Sequence, residues 1–340
     1  METSGLPPEV RVLQMISSYW ASQALATAVR LGVFDALPAS VPELALKLDL
    51  KEPMLRRLMR ACAAVGVLTY RSRDQYELNE LGQVLCSRTP HSLGPMAVML
   101  SDPSHWNCWG HLHHSIRTGQ TGVRPGLGTE RIFDYLQEHP DQGQNFNRAM
   151  AAMTELWAEQ LGASYDFSPF RTIVDVGGSH GVMLAAALKA GHPEARGILF
   201  DLQHVVAEAD EDLRRHGIFE RTEKVGGSFF DFAPAGDCYL IKHVMHGWPD
   251  DRCVQVLSHI RRAMLPQARV LVLEMLLDEE PGIGDLLDLN MMVLNGGAER
   301  TAEHIGQLYA AAGLRLQRTI PSVGFYFILE GVAATEVAAP

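Results

Sequence analysis

The 340-residue sequence has few cysteines and shows no cysteine pair at close spacing. Its five cysteines are Cys62, Cys86, Cys108, Cys238 and Cys253. They are far apart, odd in number and never arranged as Cys-x-x-Cys, so neither a disulfide framework nor a cysteine zinc site is expected. This usage is typical of reduced, partly buried thiols in a cytoplasmic protein.

The sequence also has no surplus of basic residues and no long apolar run. It contains 29 Lys and Arg against 40 Asp and Glu, a formal net charge of −11. Binding to nucleic-acid phosphates needs the opposite balance. No uninterrupted apolar stretch approaches the 18 or so residues of a membrane-spanning helix, and the first residues lack the pattern of a signal peptide. We therefore expect a cytoplasmic, acidic protein whose ligand is a small molecule.

The first half of the chain shows helical spacing of apolar residues. Val12, Met15, Ile16, Tyr19 and Trp20 form one helical stripe. Shorter helices are predicted over Val41–Leu48 and Glu52–Val65, followed by a small hairpin that turns at Arg73 and Asp74. Helices followed by a hairpin in this order indicate a winged-helix arrangement.

From Thr172 the pattern changes to short apolar strands alternating with helices, which indicates an α/β domain with a parallel sheet covered on both faces. Strands are predicted to begin at Thr172, Gly197, Asp237 and Ala268, and helices to cover Val182–Ala190, Val205–His216, Asp250–Leu265 and Ala302–Ala312. The runs Leu314–Ile320 and Val323–Glu330 predict a final antiparallel hairpin. We place the domain boundary near residue 168, giving domains 1–167 and 168–340.

The segment Val174–Gly181 predicts a strand, a tight glycine turn and the start of a helix. Glycines permit the strained turn and let a ligand approach the backbone. Asp201 follows Gly181 by 20 residues and ends the next strand, where an acid typically accepts hydrogen bonds from ribose hydroxyls. These features predict a nucleoside cofactor, with a purely structural glycine turn as the alternative.

Two details of this turn favour one cofactor class. Its glycines, Gly177, Gly178 and Gly181, do not match the Gly-x-Gly-x-x-Gly pattern of dinucleotide sites. The carboxylate of Asp175 just before the turn opposes a pyrophosphate but suits the ammonium group of S-adenosylmethionine.

Five ordered blocks resemble the plant and bacterial O-methyltransferase family that includes caffeate, hydroxyindole and antibiotic O-methyltransferases. The blocks are Val174–Gly178, Phe200–Leu202, Gly226–Asp231, Lys242–Trp248 and Gly296–Thr301. The first half is similar at Arg57–Gly66, Trp109, Phe133–Leu136 and Phe146–Met150, so the resemblance covers nearly the whole chain.

The resemblance implies a class I methyltransferase fold: a Rossmann-like seven-stranded sheet preceded by a mostly helical winged-helix domain that forms homodimers. It implies S-adenosyl-L-methionine as the methyl donor, S-adenosyl-L-homocysteine as the product and no metal ion. It also implies that His246 is the general base that takes a proton from a substrate hydroxyl, with Glu274 and Glu299 as its carboxylate partners. The structural alternatives are that Glu274 merely ends a strand and that Glu299 pairs with Arg300.

The same resemblance assigns binding residues on both sides of the base. The cofactor residues are Asp175, Gly177, Gly178, Asp201, Leu202, Ser228, Phe229, Phe230 and Lys242. The substrate-pocket residues are Phe146, Met150, Trp248, Met292 and Asn295.

Three positions depart from the plant members of the family. Plant members carry acids where this chain has Ser228 and Gly247, and a tryptophan where it has His243. These changes favour the bacterial natural-product branch, with a small aromatic or polyketide-type acceptor. They leave the adenine contacts and the identity of the acceptor open.

Other interpretations remain at this point. A metal site at His111, His113 and His114 has no acidic residue nearby in sequence, so an exposed polar face is the simpler interpretation. Three arginines at positions 56, 57 and 60 suggest a DNA-binding regulator, which the acidic chain opposes. An enzyme of this fold that uses the cofactor without methyl transfer, as a hydroxylase, decarboxylase or pericyclase, is the main alternative to an O-methyltransferase.

Overall fold

The computed structural model describes residues 6–278, 280–322 and 326–334. Its chain divides into two compact units. The first contains the residues up to Cys108 together with Leu127–Met153, and the second contains Trp109–Gly126 and the chain from Thr154 onward. The boundary near residue 168 stays a prediction.

Helices and one hairpin precede the large sheet. In chain order they are α1 (Pro8–Ser17), α2 (Tyr19–Arg30), α3 (Val33–Ala36), α4 (Val41–Lys47), α5 (Glu52–Ala64), β1 (Leu68–Ser72), β2 (Gln75–Leu78), α6 (Glu80–Gln83), α7 (Gly94–Met99), α8 (Pro103–Trp109), α9 (Leu112–Thr118), α10 (Val123–Leu127), α11 (Ile132–Glu138) and α12 (Pro140–Ser164). The β1–β2 hairpin turns at Arg73 and Asp74, as predicted.

The core of the first unit is formed where α2, α4 and α5 pack with the hairpin. The predicted inward face of α5 is buried at Leu55, Met59 and Cys62. A capping box starts α4: the Ser40 amide donates to Glu43 Oε2 over 2.8 Å, and the Glu43 amide donates back to the Ser40 hydroxyl. The helix–helix–hairpin order is that of a winged helix.

The N-terminal apolar stripe differs from its sequence prediction. It is divided between α1 and α2, with Ser18 between them, and α1 has no buried residue in this single chain. Ile16 is 67% exposed and Trp20 63% exposed. A large apolar face of this kind marks an interaction surface.

The second unit is built on a seven-stranded sheet in the order β5-β4-β3-β6-β7-β9-β8. The strands are β3 (Thr172–Val176), β4 (Arg196–Asp201), β5 (Thr222–Gly226), β6 (Gly236–Lys242), β7 (Met264–Met275), β8 (Leu314–Pro321) and β9 (Tyr326–Ala333). The helices of this part are α13 (Val182–Ala190), α14 (Gln203–Glu208), α15 (Asp210–Arg215), α16 (Asp250–Ala263), α17 (Ile283–Leu294) and α18 (Ala302–Ala311). Strands β3 to β7 are parallel, whereas β9 runs antiparallel to both β7 and β8.

Both faces of this sheet are buried, as the apolar strands predict. Ile173 and Val174 are consecutive and fully buried, yet they belong to two different hydrophobic clusters. Successive side chains of a strand point to opposite faces, so each cluster lies on its own side of the sheet. The predicted α/β sheet with an antiparallel end is confirmed.

Several element predictions were incomplete. The edge strand β5 and helix α17 were not predicted, and the helix expected over Val205–His216 is two helices separated by Ala209. Strand β5 is half-buried and rich in polar residues, so it lacks the apolar run that marks the central strands. The helix expected to reach Leu265 ends at Ala263, because the long strand β7 begins at Met264.

The strand order creates a reversal point beside β3. From β3 the chain proceeds outward through β4 and β5, and then returns to place β6 on the other side of β3. In open α/β sheets, ligands bind outside the carboxyl ends of the strands at such a point. Residues that follow β3, β4, β6 and β7 are therefore placed at one edge. No helix within the described residues is long and apolar enough to cross a membrane.

Candidate active site

The turn after β3 depends on missing side chains. Gly177 and Gly181 have φ values of 69° and 80°, in the left-handed region that glycine tolerates. A Cβ added to Gly178 would lie 2.6 Å from Asp175 Cγ, and one added to Gly177 would lie 2.9 Å from Val244 Cγ2. Neighbouring side chains thus pack so close to the backbone at both positions that an added side chain would not fit.

Asp175 lies beneath the turn. Its carboxylate is buried and accepts a hydrogen bond from the Leu184 amide in the first turn of α13, over 3.1 Å. Burial raises the pKa of Asp175 to about 7, against the effect of that hydrogen bond. The side chain therefore ties the glycine turn to the helix that follows, and its predicted contact with the cofactor stays a prediction.

Asp201 ends β4 and faces the same turn. Its two carboxylate oxygens accept from the backbone amides of Ser179, over 2.9 Å, and Leu202, over 2.7 Å. Each oxygen keeps a second lone pair, so the carboxylate can also accept from hydroxyl groups. Leu202 is 48% exposed beside it.

An aromatic group follows β5. The Phe229 and Phe230 rings meet edge to face at 4.7 Å, and Phe230 meets Trp248 at 4.8 Å. The Ser228 hydroxyl accepts from the Phe230 amide over 3.2 Å, which fixes this bend. A Cβ on Gly177 would lie 3.7 Å from Phe229, so this ring lies next to the glycine turn.

Lys242 is the last residue of β6, His243 follows it, and both side chains are partly buried. The Lys242 ammonium donates to the Thr154 hydroxyl over 3.0 Å and lies 4.9 Å from the Trp157 ring. Burial lowers the pKa of Lys242 to about 8, against the opposing effect of Glu274 and Asp175. Burial also lowers the pKa of His243 well below its usual value, so that ring is neutral.

The structure brings the three predicted catalytic residues together. His246 lies in a 3₁₀ turn, Met245–Gly247, after β6. Its Nδ1 is 2.8 Å from Glu299 Oε1 and 3.5 Å from Glu274 Oε2. Glu274 accepts from the amides of Met245 and His246 through its other oxygen. Glu274 therefore fixes the turn as well as ending its strand, and Glu299 is bonded to the imidazole.

Two buried carboxylates set the charge state of the imidazole. Burial opposes the charged ring, but Glu274 and Glu299 outweigh it and raise the pKa of His246 above its usual value. Burial likewise raises the pKa of Glu274. A carboxylate only accepts, so Nδ1 carries the hydrogen that it shares with Glu299 and Nε2 has the free lone pair.

The same three side chains form a metal-ligand set by residue type. Each offers one possible ligand atom, and these three atoms lie within 4.8 Å of one another. Two ligands on one tetrahedral zinc ion lie about 3.3 Å apart, given bonds of ~2.0–2.1 Å. The 2.8 Å separation between Nδ1 and Glu299 is instead a hydrogen-bond length. We interpret the group as a proton-binding one.

The predicted substrate residues are spread over the chain. Trp248 follows the His246 turn and is 39% exposed, while Met292 and Asn295 are at the end of α17. Phe146 and Met150 are on α12 in the first unit, where Phe146 meets Phe133 edge to face at 5.9 Å. Their roles stay predictions.

Sequence reasoning missed the part of Arg300. It entered only as an alternative partner for Glu299, whereas the structure pairs it with Asp250 and buries it beside the His246 turn. A lone arginine after an acid gives no signal of this in the sequence, because its partners Asp250, Met245 and Trp248 are 50 or more residues away.

Comparisons with known proteins match both halves of the chain. An O-methyltransferase domain model matches residues 109–315, and an O-methyltransferase dimerisation domain model matches residues 13–88. A phenazine O-methyltransferase of Lysobacter antibioticus is 39% identical, over 96% of each chain. A mitomycin biosynthesis 6-O-methyltransferase of Streptomyces lavendulae is 38% identical, over 92% of this chain and 91% of the relative.

A solved structure agrees with these relatives. Human N-acetylserotonin methyltransferase, in complex with S-adenosylmethionine, superimposes with a TM-score of 0.86 at 26% identity. The match covers 98% of this chain and all of the human one.

Proposed function

This chain belongs to the S-adenosylmethionine-dependent O-methyltransferase family, and we propose that its His246 takes the proton from a hydroxyl of a small aromatic or polyketide-type acceptor during methyl transfer. The match to the dimerisation domain supports a homodimer. We expect it in the cytoplasm, because all five cysteines carry free, buried thiols.

The residues at the glycine turn fit the cofactor. S-adenosylmethionine supplies an electrophilic methyl group on a sulfonium, which is a good leaving group. Gly177 and Gly178 permit the tight turn on which we propose the cofactor binds, and Asp201 has lone pairs for ribose hydroxyls. We assign the contacts to adenine to Leu202 and to three residues after β5: Ser228 and the aromatic residues Phe229 and Phe230. Asp175 and Lys242 complete the proposed cofactor contacts.

The Glu299 hydrogen bond carries the proposal for the base. Because Nδ1 donates to Glu299, the free lone pair of His246 is on Nε2, where it can accept a proton. The imidazolium formed by that transfer then lies against two carboxylates that stabilise it. This constellation follows the same logic as a base oriented by an acid in hydrolases.

Magnitudes limit what the base contributes. A phenol near pKa ~10 and an unperturbed imidazole near ~6.5 differ by about 3.5 units, roughly 5 kcal/mol for a complete transfer beforehand. The raised pKa of His246 narrows this gap. We infer that the proton leaves as the methyl group moves. Alignment of oxygen, methyl and sulfur supplies the larger part of the decrease in the activation barrier, up to ~7–11 kcal/mol in favourable cases.

The acceptor class follows from the relatives and from the aromatic walls. The two bacterial relatives are named for a phenazine and for mitomycin biosynthesis. Trp248 and Phe230 meet at a right angle next to the base turn, which gives flat rings a surface to pack against. We assign the pocket in the second unit to Trp248, Met292 and Asn295, and the roles of Phe146 and Met150 stay predictions from the sequence.

The test is a reaction with isotopically labelled S-adenosylmethionine and a panel of hydroxylated aromatic and polyketide acceptors, analysed by mass spectrometry. We expect the acceptor to gain one methyl group as S-adenosylhomocysteine is released. His246→Gln is expected to lower kcat by about 10²–10⁴-fold, the usual contribution of a general base. Binding of S-adenosylhomocysteine should be unchanged.

The exposed His113 provides a matched control, since His113→Gln changes the same chemical group outside the site. Equal turnover by His246→Gln and wild type would show that alignment alone is sufficient and that His246 is not the base. Consumption of the cofactor without a methylated product would overturn methyl transfer itself.

A further inference from the structure

The turn that carries His246 is not held by a regular element. It is one 3₁₀ turn between the end of β6 and the start of α16. Hydrogen bonds from outside the turn must therefore fix its geometry, and Glu274 supplies only those to the amides of Met245 and His246. The carbonyl groups of the turn need donors.

Arg300 supplies donors to the Met245 carbonyl in the turn and to the Trp248 carbonyl just after it, both of which also accept from the Cys253 thiol. Its Nη1 donates to the carbonyl oxygens of Met245, over 2.9 Å, and Ala298, over 3.3 Å. Its Nη2 donates to the Trp248 carbonyl over 2.7 Å. One guanidinium thus bonds to the residue before His246, to the residue two places after it and to the residue before Glu299.

The guanidinium is buried and its charge is balanced. Arg300 is 5% exposed, and its Nε and Nη2 are 2.9 Å and 2.8 Å from Asp250 Oδ1. The other oxygen of Asp250 is 2.8 Å from His304 Nε2. A buried arginine whose donors are all directed at acceptors is costly to disturb, because any lost partner leaves a buried polar group unpaired.

The main chain of Arg300 extends the same connection to the third catalytic residue. Arg300 forms a β-bridge with Leu276, and its carbonyl accepts from the Leu277 amide over 3.1 Å. Leu276 is two residues beyond Glu274 on the chain that leaves β7. The Ala298 amide also donates to the His246 carbonyl over 2.9 Å.

We propose that Arg300 is a positioning residue that holds His246, Glu299 and Glu274 in one register for proton transfer. This inference rests on the proposed role of His246 as base. Arg300 acts through backbone carbonyls and does not touch the reacting atoms. Its planar fork reaches three carbonyls and one carboxylate at once, which a lysine ammonium at the end of a flexible stem does not reproduce.

The test compares Arg300→Lys with wild type in the intact enzyme. Displacement of a catalytic group by about 1 Å lowers turnover on the order of 10²-fold, so we expect that loss in kcat. The stoichiometry of S-adenosylhomocysteine binding by calorimetry should stay that of the wild type. A variant that merely unfolds in part would lose activity and binding stoichiometry in proportion, and that result would overturn the proposal.

The pH profile of kcat separates positioning from general destabilisation. If the Glu299–His246 contact loosens, the carboxylate no longer raises the pKa of His246, so the acid limb of the profile moves to lower pH. Asp250→Asn keeps the carbonyl contacts of Arg300. It should therefore lower kcat less than Arg300→Lys does and move the acid limb in the same direction by less. An unshifted acid limb in both variants would contradict the proposal.

The exposed Arg315 gives the matched control, because Arg315→Lys makes the same substitution away from the turn. His246→Gln is measured alongside. If His246→Gln retains turnover, the proposed base fails. If it loses turnover and Arg300→Lys keeps it, only the positioning role fails.

Discussion

The two sides of the proposed site, the glycine turn and the His246 turn, depend on different kinds of residue. At the glycine turn, neighbouring side chains pack so close to the backbone of Gly177 and Gly178 that an added side chain would not fit. At the His246 turn, the chemistry comes from charged side chains that are buried and bonded to one another. One side is therefore sensitive to an added atom, and the other to a removed charge.

The largest effect in this comparison is expected at Glu299. Glu299→Gln keeps the size of the side chain but removes its charge, and its amide nitrogen can donate to Nδ1 and so favour the wrong tautomer of His246. In a hydrolase triad the equivalent change lowers kcat by about 10⁴-fold, which sets the upper bound here. Steady-state kinetics at saturating cofactor measures the loss.

Binding of the cofactor should not follow that loss. If Glu299→Gln weakens S-adenosylhomocysteine binding as much as it lowers kcat, the two sides are not separable and the comparison fails.

The opposite pattern is expected from Gly178→Ala. The new methyl group would lie 2.6 Å from Asp175 Cγ and 2.7 Å from Leu199 Cδ1, so the turn must shift. Such overpacking costs about 1–3 kcal/mol, which corresponds to a loss of roughly 5- to 150-fold in S-adenosylhomocysteine affinity if the strain falls on the turn. Calorimetric titration measures this, and kcat at saturating cofactor should change less than the affinity.

Gly282→Ala is the control for this substitution, since a Cβ there meets nothing within 4 Å. An unchanged affinity in Gly178→Ala would mean that the turn accommodates a side chain and that its glycines are not required for the ligand.

The smallest effect is a shift in pH dependence. The base must be deprotonated, and Glu274 and Glu299 raise its pKa, so kcat should fall as the pH drops through a value above the unperturbed ~6.5. Glu274→Gln removes a negative charge that raises the pKa of His246, so it should move this acid limb to lower pH. Lys242→Met removes a positive charge and should move it to higher pH.

The opposite directions of these two shifts make the test specific. If both variants shift the limb the same way, the group that titrates is not His246.

Much of this site could be predicted because its residues lie at or shortly after the carboxyl ends of strands. Asp201, His246 and Glu274 each follow a recognisable apolar run, and parallel strands place their carboxyl ends at one edge of the sheet. The edge strand β5 and the helix α17 escaped prediction, since neither has a run that contrasts with its surroundings. The contacts of Arg300 were not predicted for another reason. Its side-chain partners are distant in sequence and come close only because the segment with Arg300 lies beside the residues that follow β7.

The sequence by itself determined the alternation of strands and helices and the glycine turn, whereas the proposed base and its acids came from the family resemblance. The spacing of apolar residues and the conformational freedom of glycine decide the first two features, and both depend only on residues that are close in sequence. The tertiary structure alone decided that Glu299 bonds to His246 rather than to Arg300, and that Asp175 supports α13 from below the turn. Those pairings depend on which carboxylates folding buries together, and burial gives them their strength.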